Sequence, residues 1–477
     1  MICAVSAVMM FAFSGCENVE NAAVSSSVPE SFSEPDTVTE EQTDQQITDA
    51  VSEDTSETST EAETEKTKAS PESKGNIYDT DGRLLVYSTD NGGSYLRHVS
   101  DDYAVSLANI ITTMSDGYDT AFDDILSKGD SIVLTIDAEI QKAVYDYMEA
   151  NNIVGSVVVM RTDGSIMVQA SYPSYDPNAV TDQKYDEELA WGKCGNKAFQ
   201  NYEPGSCFKI MSEVIADKHG IYSLYDDGEW VYDDTSIVNW DHDTNPGYPI
   251  PERSLSSAFI NSSNIFFAKA FDQIGGDAVL EDLESIFHFV SPIDCDFGEI
   301  NNNVEFYCED DVRRTAFGQS YVLTCPLYLS ALGREAVFGD MVRPYVLESV
   351  VDTGSPDRII ADGSLSNDVL SSIPSEYRQN LLDGMLGVAG GLGIYLPDGY
   401  TLYAKTGTAE TWLGDFLYIT GCAKSANDSG SGAYDHKDYN GSYVVVMNVQ
   451  NPEYHGFSFA SESARLYQGV LNCVVGN

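Results

Sequence analysis

Positive charge is scarce in this chain: 25 lysines and arginines stand against 76 aspartates and glutamates among 477 residues, a net charge of −51. A field of that sign repels phosphate backbones, which argues against a nucleic-acid partner, and it disfavours direct docking on anionic lipid. The imbalance is not confined to one tail. Residues 17–73 hold 16 of the acids and two bases, Lys66 and Lys68, which leaves 60 acids against 23 bases elsewhere. Cysteine is thin as well, and no C-x-x-C pair occurs among the nine, so a zinc site is not expected. Without Cys3 and Cys16 an odd, scattered seven remain, which is not a disulfide framework. Cys295 and Cys308 are close enough in sequence to bridge, but free thiols are the expected state. No internal repeat is visible, no metal or organic cofactor is implied, and no stretch after the first residues is long and apolar enough to span a bilayer.

The first residues carry an address. Ile2 to Phe13 is a nearly unbroken apolar run, too short for a bilayer and suited to a secretory signal. It ends in Phe13-Ser14-Gly15-Cys16, which resembles a bacterial lipobox and predicts a diacylglycerol on Cys16 after cleavage. The run lacks a preceding Lys or Arg, and Phe13 stands where that pattern usually has Leu. Residues 1–16 are thus read as a lipoprotein-type signal. Residues 17–74 follow as a solvated tether of Ser, Thr, Glu and Asp, too poor in apolar groups to offset the entropy of ordering.

Order is expected from about Lys74. Residues 76–86 read as two short strands around the Asp81-Gly82 turn, and 118–126 as a helix with Ala121, Phe122 and Ile125 on one face. A strand over 132–136 leads to Asp137, an N-cap for a helix carrying Ile140, Ala143, Val144 and Tyr147. Residues 155–160 and 166–170 form a hairpin. A helix-rich middle spans about 206–338, followed by strands at 402–406, 415–422 and 443–449 and a helix over 461–474. Strands at both ends with helices between them imply one mixed domain whose sheet is built from distant segments.

Three short motifs carry chemistry. In Pro204-Gly205-Ser206-Cys207-Phe208-Lys209, the Pro-Gly turn opens a helix with apolar groups at Phe208, Met211, Val214 and Ile215. Ser206 and Lys209 are then i and i+3 on one face. A serine hydroxyl needs a base to become a nucleophile, and a desolvated lysine can lose its charge and serve as one. The helix start also points backbone N–H groups at a developing oxyanion. In Asn261-Ser262-Ser263-Asn264, Ser262 and Asn264 form an S-x-N pattern: a hydroxyl to relay a proton and an amide to hold a substrate backbone. In Lys405-Thr406-Gly407-Thr408, a strand-interior glycine marks close approach by another backbone, beside a lysine and two hydroxyls able to bind a carboxylate. Each motif alone has a plain structural reading as a turn, cap or strand edge. Their order and contexts together do not: S-x-x-K, S-x-N and K-T-G in sequence mark β-lactamases and penicillin-binding proteins.

The resemblance extends past the motifs. Residues 155–160 and 170–178, Asn196-Lys197-Ala198-Phe199, Phe317-Gly318-Gln319, Cys325-Pro326-Leu327 and Leu134-Thr135-Ile136-Asp137 with Gln141 resemble marks of a penicillin-binding transpeptidase domain. Residues 75–86 are similar to the entry region of class B members, and the short piece before Leu134 resembles the compact class B type. The resemblance implies an α+β penicillin-binding transpeptidase (β-lactamase-like) fold: a five-stranded antiparallel sheet flanked by helices, with a helix-rich subdomain. It divides the chain into the signal, the tether, a small N-terminal entry region at 75–130 and a transpeptidase domain at 131–477. It further implies that Ser206 attacks a peptidoglycan D-Ala-D-Ala stem, with Lys209 as base and Ser262 passing a proton to the leaving amine. Lys405 would tune that relay, and Asn264 would bind the donor amide. Backbone N–H groups of Ser206 and Thr408 would form the oxyanion hole, and Thr406 and Thr408 would hold the donor carboxylate. A neighbouring amine would accept the acyl group, and β-lactams would acylate Ser206. A lipid-anchored position outside the cell membrane, beside a cell-wall glycosyltransferase, goes with this reading.

The chain departs from the family at Cys207 and Cys325, where Thr is usual, at Ser320, where Gly is common, and around Phe338-Gly339-Asp340, where Asn-Gly-Gly is usual. Cys207 is expected as a packed small side chain, with a redox role as the alternative. Other functions share such a site. A D,D-carboxypeptidase passes the acyl group to water. A β-lactamase needs a deacylating base, for which Glu410 is a candidate by proximity alone, and a β-lactam sensor or cell-wall scaffold needs a signalling module the chain does not display.

Overall fold

The computed structural model describes residues 73–111, 117–180, 192–363, 368–430 and 441–476. Cys16, the signal-like run and the tether up to residue 72 lie outside the described residues.

The strand Tyr443–Val449 is buried along its whole length. Successive strand side chains point to opposite faces, so Val444 and Val446 enter one apolar cluster while Val445, Met447 and Val449 enter another. A strand buried on both faces belongs in the middle of a sheet. This one is the central strand of a five-stranded antiparallel sheet in the order Tyr400–Thr411, Gly414–Ser425, Tyr443–Val449, Gly155–Arg161, Ile166–Tyr172. One face is covered by helices Ala138–Ala150 and Ala464–Val475, whose Val144, Met148, Tyr467 and Val470 pack with Val157, Val159 and Ile419. On the other face lies helix Pro326–Phe338, which sits so close that a Cβ at Gly333 would come within 2.9 Å of Val444 Cγ1. The mixed domain expected from the strand–helix–strand order, and the α+β class with a five-stranded antiparallel sheet that the resemblance implies, are the ones observed.

A second sheet of six strands joins distant parts of the chain, in the order Ser355–Asp362, Leu347–Asp352, Ser131–Leu134, Ile77–Tyr78, Leu84–Asp90, Tyr95–Val99. Ile77 and Tyr78 pair in parallel with Ile132 and Val133. The expected Asp81-Gly82 turn is held by the buried Asp79 carboxylate, which accepts from the backbone N–H groups of Asp81 (3.1 Å), Arg83 (2.7 Å) and Ala138 (3.2 Å). Asp137 caps its helix as expected, accepting from the N–H groups of Glu139 and Ile140.

Two expectations change in detail. The helix over 118–126 is broken at Phe122 into Tyr118–Ala121 and Asp123–Leu126. Phe122 leaves the helical region while its ring is buried, and so short a helix is too marginal to resist. The helix-rich middle also contains four two-stranded ribbons among the described residues, including Ser223–Asp226 with Ile250–Ser254 and Glu229–Tyr232 with Thr235–Val238.

Candidate active site

Gly205 has φ +52°, a left-handed conformation that favours glycine, and a Cβ there would lie 2.3 Å from the Thr408 carbonyl oxygen. The chain then makes a 3₁₀ turn, Gly205–Phe208, that runs straight into helix Lys209–Lys218. Ser206 therefore sits on a 3₁₀ turn rather than on the expected α-helical start. Side chains three apart eclipse one another in such a turn, and Lys209 Nζ lies 2.8 Å from Ser206 Oγ.

Lys209 is fully buried. Its Nζ donates to the Ser262 carbonyl (3.0 Å), Ser262 Oγ (3.2 Å) and Asn264 Oδ1 (2.7 Å). Burial, and then the positive charge of Lys405, holds the Lys209 pKa well below the ordinary lysine range. Lys405 comes from strand Tyr400–Thr411 and is also buried. It donates to Ser262 Oγ (3.1 Å) and to the Thr406 carbonyl (2.9 Å), and burial lowers its pKa to about 8. The Ser262 hydroxyl thus lies between two amines that disfavour each other's charge. Both shifts disfavour the charged amine, and the one at Lys209 favours a form able to accept a proton. Ser262 reaches this place in the left-handed region at φ +56°, a conformation that costs a non-glycine residue roughly 1–2 kcal/mol.

The third motif closes the site. A Cβ at Gly407 would lie 2.6 Å from the Pro204 carbonyl oxygen and 2.9 Å from Cys207 Sγ, so strand and nucleophile turn are in direct contact. Thr406 and Thr408 are half-buried on one face of that strand. Thr408 Oγ1 accepts from the Ala460 N–H at 3.1 Å, which leaves its own O–H to donate. Asn264 places its Oδ1 on Lys209 and gives one of two N–H donors to the Val238 carbonyl at 3.0 Å. The structure therefore brings Ser206, Lys209, Ser262, Asn264, Lys405, Thr406, Gly407 and Thr408 to one place. Lys405 faces Ser262 and is not an exposed carboxylate anchor.

Cys207 lies beneath this site, fully buried. Thr420 Oγ1 donates to its sulfur at 3.6 Å, and burial raises the thiol pKa, which disfavours the reactive thiolate. Its packing role is the one observed. Cys295, Cys325 and Cys422 are likewise free, buried thiols. Glu410 is exposed, and Gln319, with its amide turned to satisfy both partners, donates to the Glu410 carbonyl and accepts from its N–H. Among the described residues no cluster of three or more His, Cys, Asp or Glu is arranged to hold a metal ion. Sequence reasoning did not single out Asp226, Asn239 or Arg253, which are buried behind the S-x-N turn; Asp226 and Asn239 are bonded to it, and Arg253 pairs with Asp226. No short pattern marks them.

The penicillin binding protein transpeptidase domain model matches residues 155–467. Penicillin-binding protein 3 of Bacillus subtilis is 26% identical over 363 residues, 69% of this chain and 49% of that protein. Peptidoglycan D,D-transpeptidase PbpA of Mycobacterium tuberculosis is 26% identical over 306 residues, 59% of this chain and 61% of the relative. The chain thus spans from about half to three-fifths of the length of these relatives. Among solved structures, penicillin-binding protein A from M. tuberculosis as an imipenem acyl-enzyme complex superposes with a TM-score of 0.69 at 22% identity, covering 84% of this chain and 99% of that one. The D,D-transpeptidase domain of a peptidoglycan glycosyltransferase from Eggerthella lenta gives 0.68 at 21%, covering 85% and 99%. No described helix is long and apolar enough to cross a membrane. Because the family match takes in both sheet-end strands and all three motifs, the chain belongs to the penicillin-binding protein transpeptidase family.

Proposed function

We propose that this protein is a class B peptidoglycan D,D-transpeptidase working through a Ser206 acyl-enzyme. The observation that carries the reading is the buried Lys209 amine, 2.8 Å from Ser206 Oγ and bonded to a Ser262 hydroxyl that a second buried amine, Lys405, also holds.

In this reading Ser206 Oγ attacks the carbonyl of the penultimate D-alanine as its proton passes to neutral Lys209. The tetrahedral oxyanion is stabilised by the backbone N–H groups of Ser206 and Thr408. Collapse breaks the peptide bond, and Ser262 relays the Lys209 proton to the leaving amine of the terminal D-alanine. Charged Lys405 polarises Ser262 for that transfer. Asn264 orients the donor amide, while Thr406 and Thr408 hold the terminal carboxylate. The amine of a neighbouring stem then attacks the ester, its proton returns to Ser206 Oγ through the same relay, and the cross-link is released. A β-lactam acylates Ser206 as a donor mimic. The enzyme works outside the cell membrane, anchored through a lipid on Cys16 and held off by the tether at 17–74. The entry region at 75–130 and the catalytic domain at 131–477 follow, beside a cell-wall glycosyltransferase.

The test is labelling of purified protein with a fluorescent penicillin, followed by donor and acceptor stem peptides. Stable label that vanishes in Ser206→Ala, and peptide cross-links in the presence of an amine acceptor, are expected. Label that survives Ser206→Ala sinks the nucleophile, and rapid loss of label with no cross-link moves the protein to a hydrolase.

A further inference from the structure

Behind the S-x-N turn lies a polar cluster that the chemistry above does not use. Asp226, Asn239, Arg253 and Ser263 are each 3% exposed or less. Asn239 Oδ1 accepts from the backbone N–H groups of Asn264 (2.7 Å) and Ile265 (3.2 Å), the first two of helix Asn264–Ile274. Its Nδ2 donates to both oxygens of Asp226 (2.9 and 3.1 Å) and to Tyr248 OH (3.0 Å). Asp226 also accepts from Ser263 Oγ (2.7 Å) and the Gly228 N–H (3.0 Å), and it pairs with Arg253 Nε at 2.5 Å. Arg253 Nη2 donates to Tyr248 OH at 3.2 Å. Every member touches another.

We propose that Asp226, Asn239 and Arg253 are positioning residues that hold Ser262 and Asn264 at the angle the acylation step requires; this rests on the Ser206 acyl-enzyme reading. A buried ion pair adds little net stability against an apolar replacement, so its contribution here is geometric. Ser262 is the strained residue of the turn, and such a conformation persists only where its surroundings over-determine it. On its N-terminal side, Phe259 and Ala258 carbonyls accept from the N–H groups of Ser262 (3.1 Å) and Ser263 (2.8 Å). On its C-terminal side the fixed points are the Ser263 hydroxyl and the Asn264 N–H, both bound by the cluster. The same turn supplies three of the four oxygens around the Lys209 amine: the Ser262 carbonyl, Ser262 Oγ and Asn264 Oδ1. A shift of the turn therefore changes the base as well as the relay.

The experiment follows labelling of the full chain by a fluorescent penicillin across pH 5.5 to 9.5. The end point gives the fraction of competent sites, and the progress curve gives the rate constant per site. Asn239→Ala is expected to lower that rate constant about tenfold to a hundredfold, as sub-ångström misplacement does, and to displace the acid limb of the pH profile. An unchanged rate constant and unshifted profile in Asn239→Ala overturn the proposal, because a merely stabilising cluster alters only the end point. If Asn239→Ala does not fold, Tyr248→Phe decides: it removes one hydroxyl from the cluster, and an unshifted profile there overturns the proposal equally. Absence of labelling in the unsubstituted protein removes the acyl-enzyme reading and this inference with it.

Discussion

Adding one methyl group at Gly407 tests whether contact between the K-T-G strand and the nucleophile turn sets the rate. The new Cβ would meet the Pro204 carbonyl oxygen at 2.6 Å and Cys207 Sγ at 2.9 Å. Comfortable contact between such atoms begins near 3.5 Å, so the strand must retreat by roughly 0.9 Å or the turn must give way. Neither side has slack. The strand is laddered to Gly414–Ser425 from Tyr400 to Thr411, and the turn is pinned by the Gly205 N–H donating to the Gly318 carbonyl at 3.0 Å. Overpacking of this kind costs about 1–3 kcal/mol of stability. The effect on rate is larger, because the displaced segment carries Lys405, Thr406 and Thr408, and a misplacement near 1 Å can cost about a hundredfold. Gly407→Ala should therefore remain folded, melt a few degrees lower, and acylate with penicillin about a hundredfold more slowly per competent site. Adding Cys207→Ala removes the sulfur contact and leaves the carbonyl contact, so recovery should be partial. Acylation of Gly407→Ala at the rate of the unsubstituted protein would refute the reasoning, because the close approach would then have no mechanical consequence.

Other outcomes follow from charge and burial. Lys405→Met removes the positive charge that helps depress Lys209, so the acid limb of residual acylation should move to higher pH; a limb that stays or moves lower contradicts the coupling. Glu213, buried on the helix that carries Lys209, has its carboxyl pushed up to about 8 by burial and then by Asp217. Its folded pKa exceeds its unfolded one, so its stabilising contribution is complete below about pH 4.5 and is lost as pH rises through 8. Glu213→Gln should melt with a flatter pH dependence and gain at pH 9, by up to about 5 kcal/mol, and identical pH dependences would rule this out. Cys207, packed under Lys405 and with its thiol pKa raised, should stay unmodified when the folded protein meets a thiol reagent; loss of penicillin labelling through modification at Cys207 would contradict its burial.

The parts of the site visible in the sequence are those whose chemistry is local. Ser206 and Lys209 are three apart and declare themselves beside a Pro-Gly turn, and Gly407 reads as a close approach because a strand interior has little other use for glycine. What stayed hidden depends on long-range packing. Asp226, Asn239 and Arg253 are ordinary residue types spread over 28 positions of chain, and only the folding of two ribbons, Ser223–Asp226 with Ile250–Ser254 and Glu229–Tyr232 with Thr235–Val238, sets them behind Ser262. The depression of the two lysines is a property of burial, which no spacing rule reports. The ribbons of the middle were missed because strands of two to five residues are too short to display alternation. The central strand was found for a different reason. Tyr443–Val449 is so uniformly apolar that its length, not its periodicity, marks it as a strand.

That central strand has a consequence for the life of the molecule before it acts. Gly155–Arg161 and Gly414–Ser425 do not touch each other in the sheet; each pairs with Tyr443–Val449, the last of the five strands in chain order. Until it inserts, the strand bearing Lys405 has no attachment through the sheet to the hairpin that begins it. Pairing across such sequence distances is slow, since loop closure precedes its reward. Penicillin reactivity should therefore arise late and in one step, and a chain interrupted before residue 449 would hold all three motifs and no working site.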